Sequence, residues 1–571
     1  MRTRLRLRLV LVLLLPWLAA CGSTGAPPAA DPQAAPRFMI SAANPLAAKA
    51  GRDVLAAGGS AVDAAVAVQM VLTLVEPQSS GIGGGAFMLH YDAETGAVTS
   101  YDGRETAPRS ARPGMFLKDG KPMRFLDAAA GGTSVGVPGV LRMLERAQAN
   151  HGKMSWRQLF QPAIDLANHG FAMSPRLARL LARETRLRET PAARGYFYTK
   201  ASETRPAGTP LRNPDLARTL AAVADGGADA FYQGAIARGI VETVRGAANN
   251  PGAISYADLA AYRAIERRPV CAPYRAWRVC GMGPPSSGGL AVAQILGILE
   301  RFDMARLEPG SAEAVHLVAE AGALAFADRN AYVADADFVP VPAAGMLDPG
   351  YLAGRAELIG PNHPPGKRQP GRPAGAQAAY PPGDDDKGLS TSHFAIVDAR
   401  GNAVSMTTSI ETVFGSRLMT GGFILNNQLT DFAFTPVKAG RAVANAAAPG
   451  KRPRSSMSPT LVLDANGRLV MAVGSPGGSR IIGFVTKTLI AALDWSLPMQ
   501  AAIDLPNFLN RNGATEIEAG DGVAALKATL ERLGHEVKVM TRESGLHGIR
   551  VTPAGLDGGA DKRREGMVLA N

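Results

Sequence analysis

Near residue 390 the chain passes from a stretch that cannot pack to one that must. Residues 361 to 389 are rich in Pro, Gly and Ala, include Asp384-Asp385-Asp386-Lys387, and show no apolar period. That composition predicts a flexible, solvated loop. A strand pattern then begins at Ser392-His393-Phe394-Ala395-Ile396-Val397, and the turn Ala399-Arg400-Gly401-Asn402 leads into Ala403 to Thr408, a hairpin by spacing. An irregular segment that ends abruptly at a Thr beginning a strand has the form of a processing site, since proteolysis concentrates in exposed loops. Uncut, Thr391 is an ordinary β-branched strand residue. Cut between Ser390 and Thr391, it carries a hydroxyl and a free α-amine. An α-amine titrates near pH 8, at about 7.7–8.0. It can act as general base for its own hydroxyl, directly or through one water, with no histidine.

Composition bounds the rest. With 571 residues, 46% of them apolar, the chain has enough core for about three or four domain-sized units. A charged fraction of 19% excludes a disordered, charge-driven protein, and aperiodic Gly and Pro exclude collagen. The net charge of +12 includes four arginines in the first eight residues, and the others are scattered, so no nucleic-acid partner is expected. Arg2 to Arg8, the short apolar stretch Leu9 to Ala20, and Leu18-Ala19-Ala20-Cys21 read as a secretory signal, residues 1–20. The segment resembles a bacterial lipoprotein signal. The resemblance implies cleavage before Cys21, lipidation of its thiol, and contact with a membrane only through that anchor. Gly22-Ser23 lacks the aspartate that often marks inner-membrane retention, which by the same resemblance favours the outer membrane. An ordinary signal peptide with an incidental cysteine is the alternative. Residues 21–36 read as a Pro/Ala/Gly-rich tether. Cys271 and Cys280 would face each other in a hairpin turning at Arg275-Ala276. An oxidising envelope favours a disulfide; two reduced thiols remain open. Either way, these cysteines show no metal-ligand pattern, and no Cys-His cluster is present.

Further along, Gly58-Gly59 breaks the chain, Ser60 with Asp63 predicts a helix N-cap, and Ala61 to Val75 predicts a helix buried all round. Gly81-Ile82-Gly83-Gly84-Gly85 precedes a strand, Ala86 to Tyr91. The run lacks the Gly-Lys-Ser/Thr ending of a phosphate loop, so close backbone packing near a site is expected. Residues 137 to 330 are mainly helical by pattern, including Ala312 to Arg329.

Seven ordered motifs give these features a family. They are Asp102-Gly103-Arg104-Glu105-Thr106-Ala107-Pro108, Gly136-Val137-Pro138-Gly139, Pro284-Pro285-Ser286-Ser287-Gly288-Gly289, Thr391-Ser392-His393-Phe394, Leu425-Asn426-Asn427-Gln428, Lys451 to Pro459, and Gly474-Ser475-Pro476-Gly477-Gly478-Ser479-Arg480. In order and spacing, from about Met39 to the C-terminus, the chain resembles the γ-glutamyltransferase (γ-glutamyltranspeptidase, glutathione hydrolase) family of N-terminal nucleophile hydrolases.

The resemblance implies an α+β fold, a four-layer α/β/β/α sandwich, made as one precursor. The precursor would be cut into a large subunit, 37–390, and a small catalytic subunit, 391–571, which stay together as a heterodimer. It implies that Thr391 is the nucleophile of self-cleavage and of catalysis on γ-glutamyl compounds such as glutathione, with water or an amino acid or peptide as acceptor. Gly477 and Gly478 would supply oxyanion N–H groups, beside a helix beginning near Arg480. Arg104 would grip the glutamyl carboxylate, helped by Ser455 and Ser456, and Asp431 with Gln428 would take the ammonium. No cofactor or metal is needed for this chemistry.

Three departures stand out. Ser409 and Glu411 occupy positions where the family commonly has Thr and Asn; Ser409 keeps a hydroxyl for Thr391, and Glu411 puts a carboxyl in the pocket. No aromatic residue lies between Phe434 and Lys451, where some members carry a tyrosine-bearing lid, so a more open pocket is expected. Related acylases on the same scaffold take glutaryl-cephalosporins, whose acyl group lacks the ammonium, and Glu411 argues against that preference. Such an acylase and a non-catalytic binding lipoprotein are the alternatives.

Overall fold

The computed structural model describes residues 37–377, 380, 390–541 and 544–571. The leader, the tether, Cys21 and residues 381–389 of the expected loop lie outside the described residues.

Upstream of residue 390 the two main sheets receive β1 (Met39–Ala42), β2 (Gly85–Tyr91), β3 (Val98–Gly103), β4 (Ile265–Arg267), β5 (Val270–Tyr274) and β6 (Trp277–Gly281). Downstream they receive β7 (Ser392–Val397), β8 (Ala403–Ser409), β9 (Thr460–Leu463), β10 (Leu469–Gly474), β11 (His547–Thr552), β12 (Gly555–Ala560) and β13 (Met567–Ala570). The first sheet runs β13-β1-β7-β8-β2-β3-β4 and the second β12-β11-β10-β9-β6-β5. The expected hairpin is present, with Ser392 opposite Thr408 and Val397 opposite Ala403. The other edge of β7 pairs with β1, Phe394 opposite Ala42.

The two-residue period of these strands sets the layers. Phe394 and Ile396 point with Ile40, Val404 and Met406 toward α1 (Pro45–Ala56) and α2 (Ala61–Val75). Ala395 and Val397 point the other way and meet Leu461, Leu463, Ala472 and Ile549 of the second sheet. That sheet's far face, with Val462, Met471 and Val473, packs on α3 (Gly288–Leu299), α4 (Ala312–Tyr332) and α5 (Ile481–Leu493). The order is helix, sheet, sheet, helix: a four-layer α/β/β/α sandwich. Every residue of α2 is buried behind a Ser60–Asp63 capping box, because a helix apolar on all sides needs neighbours on all sides. Among the described residues no helix is long and apolar enough to cross a membrane.

Cys271 pairs opposite Cys280 and the two form a disulfide, with Arg275 in the turn at φ +54°. The segment from 361 is not a free loop over its first part. His363 N–H donates to Leu533 O at 2.7 Å, Arg368 N–H to Asn512 Oδ1 at 2.7 Å, and Gly371 N–H to Asp328 Oδ1 at 2.8 Å. Low apolar content hid this, since the ties are backbone donors on distant polar groups.

The glycine run is a close-approach device. A Cβ on Gly84 would lie 2.1 Å from Ser409 O, and one on Gly83 2.2 Å from Ile424 O. Backbone cannot yield as a side-chain tip can. Gly84→Ala is expected to lose about 3 kcal/mol in denaturant unfolding. Gly354→Ala, inside the helix Pro349–Ala356 with nothing within 4 Å of the new Cβ, should instead gain about 0.5–1 kcal/mol.

Candidate active site

Thr391 stands immediately before β7, and its uncut bond to Ser390 is buried; the two residues are 4% and 1% exposed. The sequence predicts an exposed junction. Burial instead puts this bond out of reach of an external protease. Thr391 Oγ1 donates to Ser390 O at 2.6 Å, and Ser409 Oγ, 3.2 Å from Thr391 Oγ1, donates to the same carbonyl at 3.0 Å. Ser409 Oγ in turn accepts from Glu411 N–H at 2.9 Å. Ser390 is anchored from behind, its N–H donating to Glu411 O and its hydroxyl to Gln78 O at 2.7 Å. Arg564 Nη1 donates to Thr391 O at 2.9 Å.

A pocket with about 300 Å³ of empty space opens beside this junction. Thr391, Ser409, Glu411, Arg104, Gln428 and Asp431 line it. Ser455, Ser456 and Gly478 complete the polar lining. Gly477 does not line the pocket; it starts the turn that carries Gly478, at φ +137° and +58°, just before α5. Such angles suit glycine, and among the described residues no acceptor engages the N–H of Gly477 or Gly478. Met457 and Ile481 also line the pocket. Apolar residues of this kind carry no chemical signal in a sequence.

Arg104 follows directly on β3. Its Nη2 donates to Asp431 Oδ2 at 2.5 Å and to Arg454 O at 3.0 Å, and its Nε donates to Pro453 O at 3.1 Å. Gln428 Nε2 donates to the same Asp431 oxygen at 2.8 Å. Arg104 and Asp431, expected to take opposite charges of a ligand, are therefore ion-paired with each other. Ser455 and Ser456 are held by the Pro284-Pro285-Ser286-Ser287 motif, where Ser286 Oγ donates to Met457 O at 2.6 Å and Ser287 Oγ to Ser455 O at 2.7 Å.

Glu411 sits at φ +81°, a strained conformation for a residue with a long side chain. Asn427 holds it there, its Oδ1 accepting from Thr412 N–H at 3.0 Å and its Nδ2 donating to Glu411 Oε2. Burial, then the charge of Asp431, keeps the Glu411 carboxyl well above its ordinary range. Its Oε1 has no hydrogen-bond partner.

The sequence profile of the γ-glutamyltranspeptidase family matches residues 47–571. The chain belongs to this family. It is 38% identical over 509 residues to the glutathione hydrolase proenzyme of Bacillus subtilis (strain 168), covering 87% of this chain and 85% of that one. It is 36% identical over 547 residues to the glutathione hydrolase proenzyme of Escherichia coli (strain K12), covering 93% and 91%. The crystal structure of cephalosporin acylase from Bacillus halodurans superposes with a TM-score of 0.81 at 26% identity, covering 96% of this chain and 98% of that one. The protein is an enzyme of the hydrolase/transferase kind that this family represents.

Two groups outside the motif-based expectations matter in this family member. Glu105, wholly buried beside Arg104, has both carboxyl oxygens without a hydrogen-bond partner. Burial pushes it up to about 8, against the pull of Arg104. Away from the pocket, His316, Glu320 and His535 bring metal-ligating atoms within 4.8 Å of one another. Each already has protein partners: His316 with His535 and Gly360 O, and Glu320 with His363 and Arg368. The contact with the Arg368 guanidinium disfavours a cation there.

Because only the folded chain keeps the Glu105 proton between about 4.5 and about 8, folding stability should fall as pH rises through that window. The full effect is of order 5 kcal/mol at most. Denaturant unfolding at pH 5 and pH 8 should show this slope in the wild type and a flatter one in Glu105→Gln.

Proposed function

We propose that this chain is a self-processing γ-glutamyltransferase and glutathione hydrolase whose nucleophile is Thr391. In maturation Thr391 Oγ1 attacks the Ser390 carbonyl carbon, the C–N bond breaks, and the hydroxyl proton passes to the departing nitrogen. Water opens the resulting ester, leaving a Ser390 carboxylate and a Thr391 with free amine and hydroxyl. The hydrogen bond from Ser409 Oγ to Ser390 O supports this step, since it polarises the carbonyl where negative charge develops. The burial of the bond supports a cut made from within.

In turnover the freed amine takes the proton of Thr391 Oγ as it attacks the γ-carbonyl of the donor, and delivers it to the leaving amine, cysteinylglycine in the case of glutathione. The γ-glutamyl ester then passes to water or to an acceptor amine. Gly477 and Gly478 N–H groups would hold the oxyanion. One observation carries the reading: the Arg104–Asp431 ion pair lines the same pocket as Thr391. A glutamyl head brings a carboxylate and an ammonium, so each partner of the pair can exchange its mate for the matching end of the ligand with no charge left unpaired. Ser455 and Ser456 would add donors to the carboxylate, and Gln428 and the bare Oε1 of Glu411 would add acceptors for the ammonium. A glutaryl group has no ammonium to offer, which disfavours the cephalosporin-acylase reading despite the fold shared with such an enzyme. The leader and Cys21 support export and a lipid-anchored place in the bacterial envelope, with the large subunit ending at 390 and the small one starting at 391.

Intact mass of the purified protein should show two chains parting at Ser390/Thr391 in the wild type and one uncut chain in Thr391→Ala. Thr391→Ala should lose γ-glutamyl anilide turnover by about 10⁴-fold or more. The wild type should prefer that donor to glutaryl-7-aminocephalosporanic acid. A wild type that stays uncut, or that favours the glutaryl donor, overturns the reading.

A further inference from the structure

Behind the two pocket serines lies an arginine that no motif singled out. Arg329, in the last turn of α4, is completely buried. Its Nη2 donates to Ser456 Oγ at 2.7 Å, its Nε to Ser287 Oγ at 2.8 Å, and its Nη1 to Asn330 Oδ1 at 2.7 Å. Ser287 passes the constraint on, its N–H and hydroxyl both donating to Ser455 O, at 2.8 and 2.7 Å. One guanidinium therefore fixes both serines, one directly and one through a single intermediary.

The proton bookkeeping gives this arrangement a direction. A guanidinium only donates, and a serine hydroxyl has one proton. Ser456 Oγ is thus the acceptor toward Arg329, and its own proton is directed away from Arg329. Ser455 Oγ likewise accepts, from Met457 N–H at 3.1 Å. Both serines line the pocket. Accepting a bond from a cation also strengthens the Ser456 O–H as a donor.

We propose that Arg329 is a positioning residue that sets Ser456, and through Ser287 also Ser455, as hydrogen-bond donors to the α-carboxylate of the donor substrate. This rests on the γ-glutamyl reading of the pocket. Arg329 precedes the cut and both serines follow it, so the large subunit tunes a recognition element of the small one. The planar fork reaches Ser287 and Ser456 at once, which an ammonium on a flexible stem cannot reproduce.

The test compares two chromogenic donors, γ-glutamyl p-nitroanilide and 4-aminobutyryl p-nitroanilide, which differ only in the α-carboxylate. Arg329→Gln should raise KM for the glutamyl donor about 10- to 100-fold, the loss expected for weakened hydrogen bonds to a charged group. Its kcat should stay within about 3-fold, its self-cleavage should persist, and kcat/KM for the aminobutyryl donor should move by less than about 3-fold. Arg329→Lys should fall between. Ser456→Ala should cost the wild type more than it costs Arg329→Gln, because the two act as one unit. Equal losses on both donors, a fall in kcat alone, or additive effects of the two substitutions would overturn the proposal. If Arg329→Gln does not mature, Arg329→Lys and Ser456→Ala carry the same donor comparison, and equal losses on both donors there overturn it too. A wild type inactive on the γ-glutamyl anilide is a separate outcome: it removes the premise about the pocket and with it the role of Arg329.

Discussion

Strand β7 is hydrogen-bonded on both edges, to β1 on one side and β8 on the other, and packed on both faces. The rest of the molecule depends on this placement. A central strand cannot slip register without moving an apolar side chain into the wrong layer, so the residue before it is held in place. That residue is Thr391. The neighbour β8 ends at Ser409, level with the start of β7, which is why the two hydroxyls meet at one carbonyl. The glycine run before β2 lets a third backbone come against Ser409. Since β1 and β2 precede residue 390 and β7 and β8 follow it, a cut at 390 would leave the halves joined through the interior of one sheet.

The pocket concentrates charge where water is scarce. Arg104, Asp431, Glu411 and Glu105 are all buried within one neighbourhood. Of the three carboxyl groups, Asp431 is hydrogen-bonded to Arg104 at 2.5 Å, while the nearer Glu105 oxygen stands off at 4.0 Å. The other two are raised by burial, so the site avoids three anions facing one cation. Glu411 illustrates the point. Replacing an amide by a carboxyl would seem to add a charge, yet its surroundings favour the neutral form, which resembles an amide in shape and polarity. Arg329 stands on the other side of the same problem, adding positive potential behind the two serines that flank the Arg104 side of the pocket.

Much of this was legible beforehand. The hairpin at 392–408, the helix at 61–75 and the place of Thr391 at the head of a strand were readable because each rests on local signals: a two-residue period, a capping pair, a loop that stops at a strand. Nine of the residues expected at the site line one pocket, six of them within the ordered motifs and Ser409, Glu411 and Asp431 outside them. Other features were not legible because they arise from distant groups. The burial of Ser390 depends on Gln78 and Glu411, the pinning of the 361 segment on Asp328, Asn512 and Leu533, and the proton on Glu105 on the absence of water around it.

Sequence by itself determined the elements, the residue types that carry acyl chemistry, and the order of the motifs, because periodicity, capping and side-chain chemistry are properties of short stretches. Tertiary structure alone decided which of those groups share a dielectric and a hydrogen-bond partner. Arg104 and Asp431 lie 327 residues apart in the chain and 2.5 Å apart in the fold. Whether Glu105 and Glu411 carry charge, and which serine proton turns away from Arg329, follows from desolvation and donor geometry, which no stretch of sequence contains.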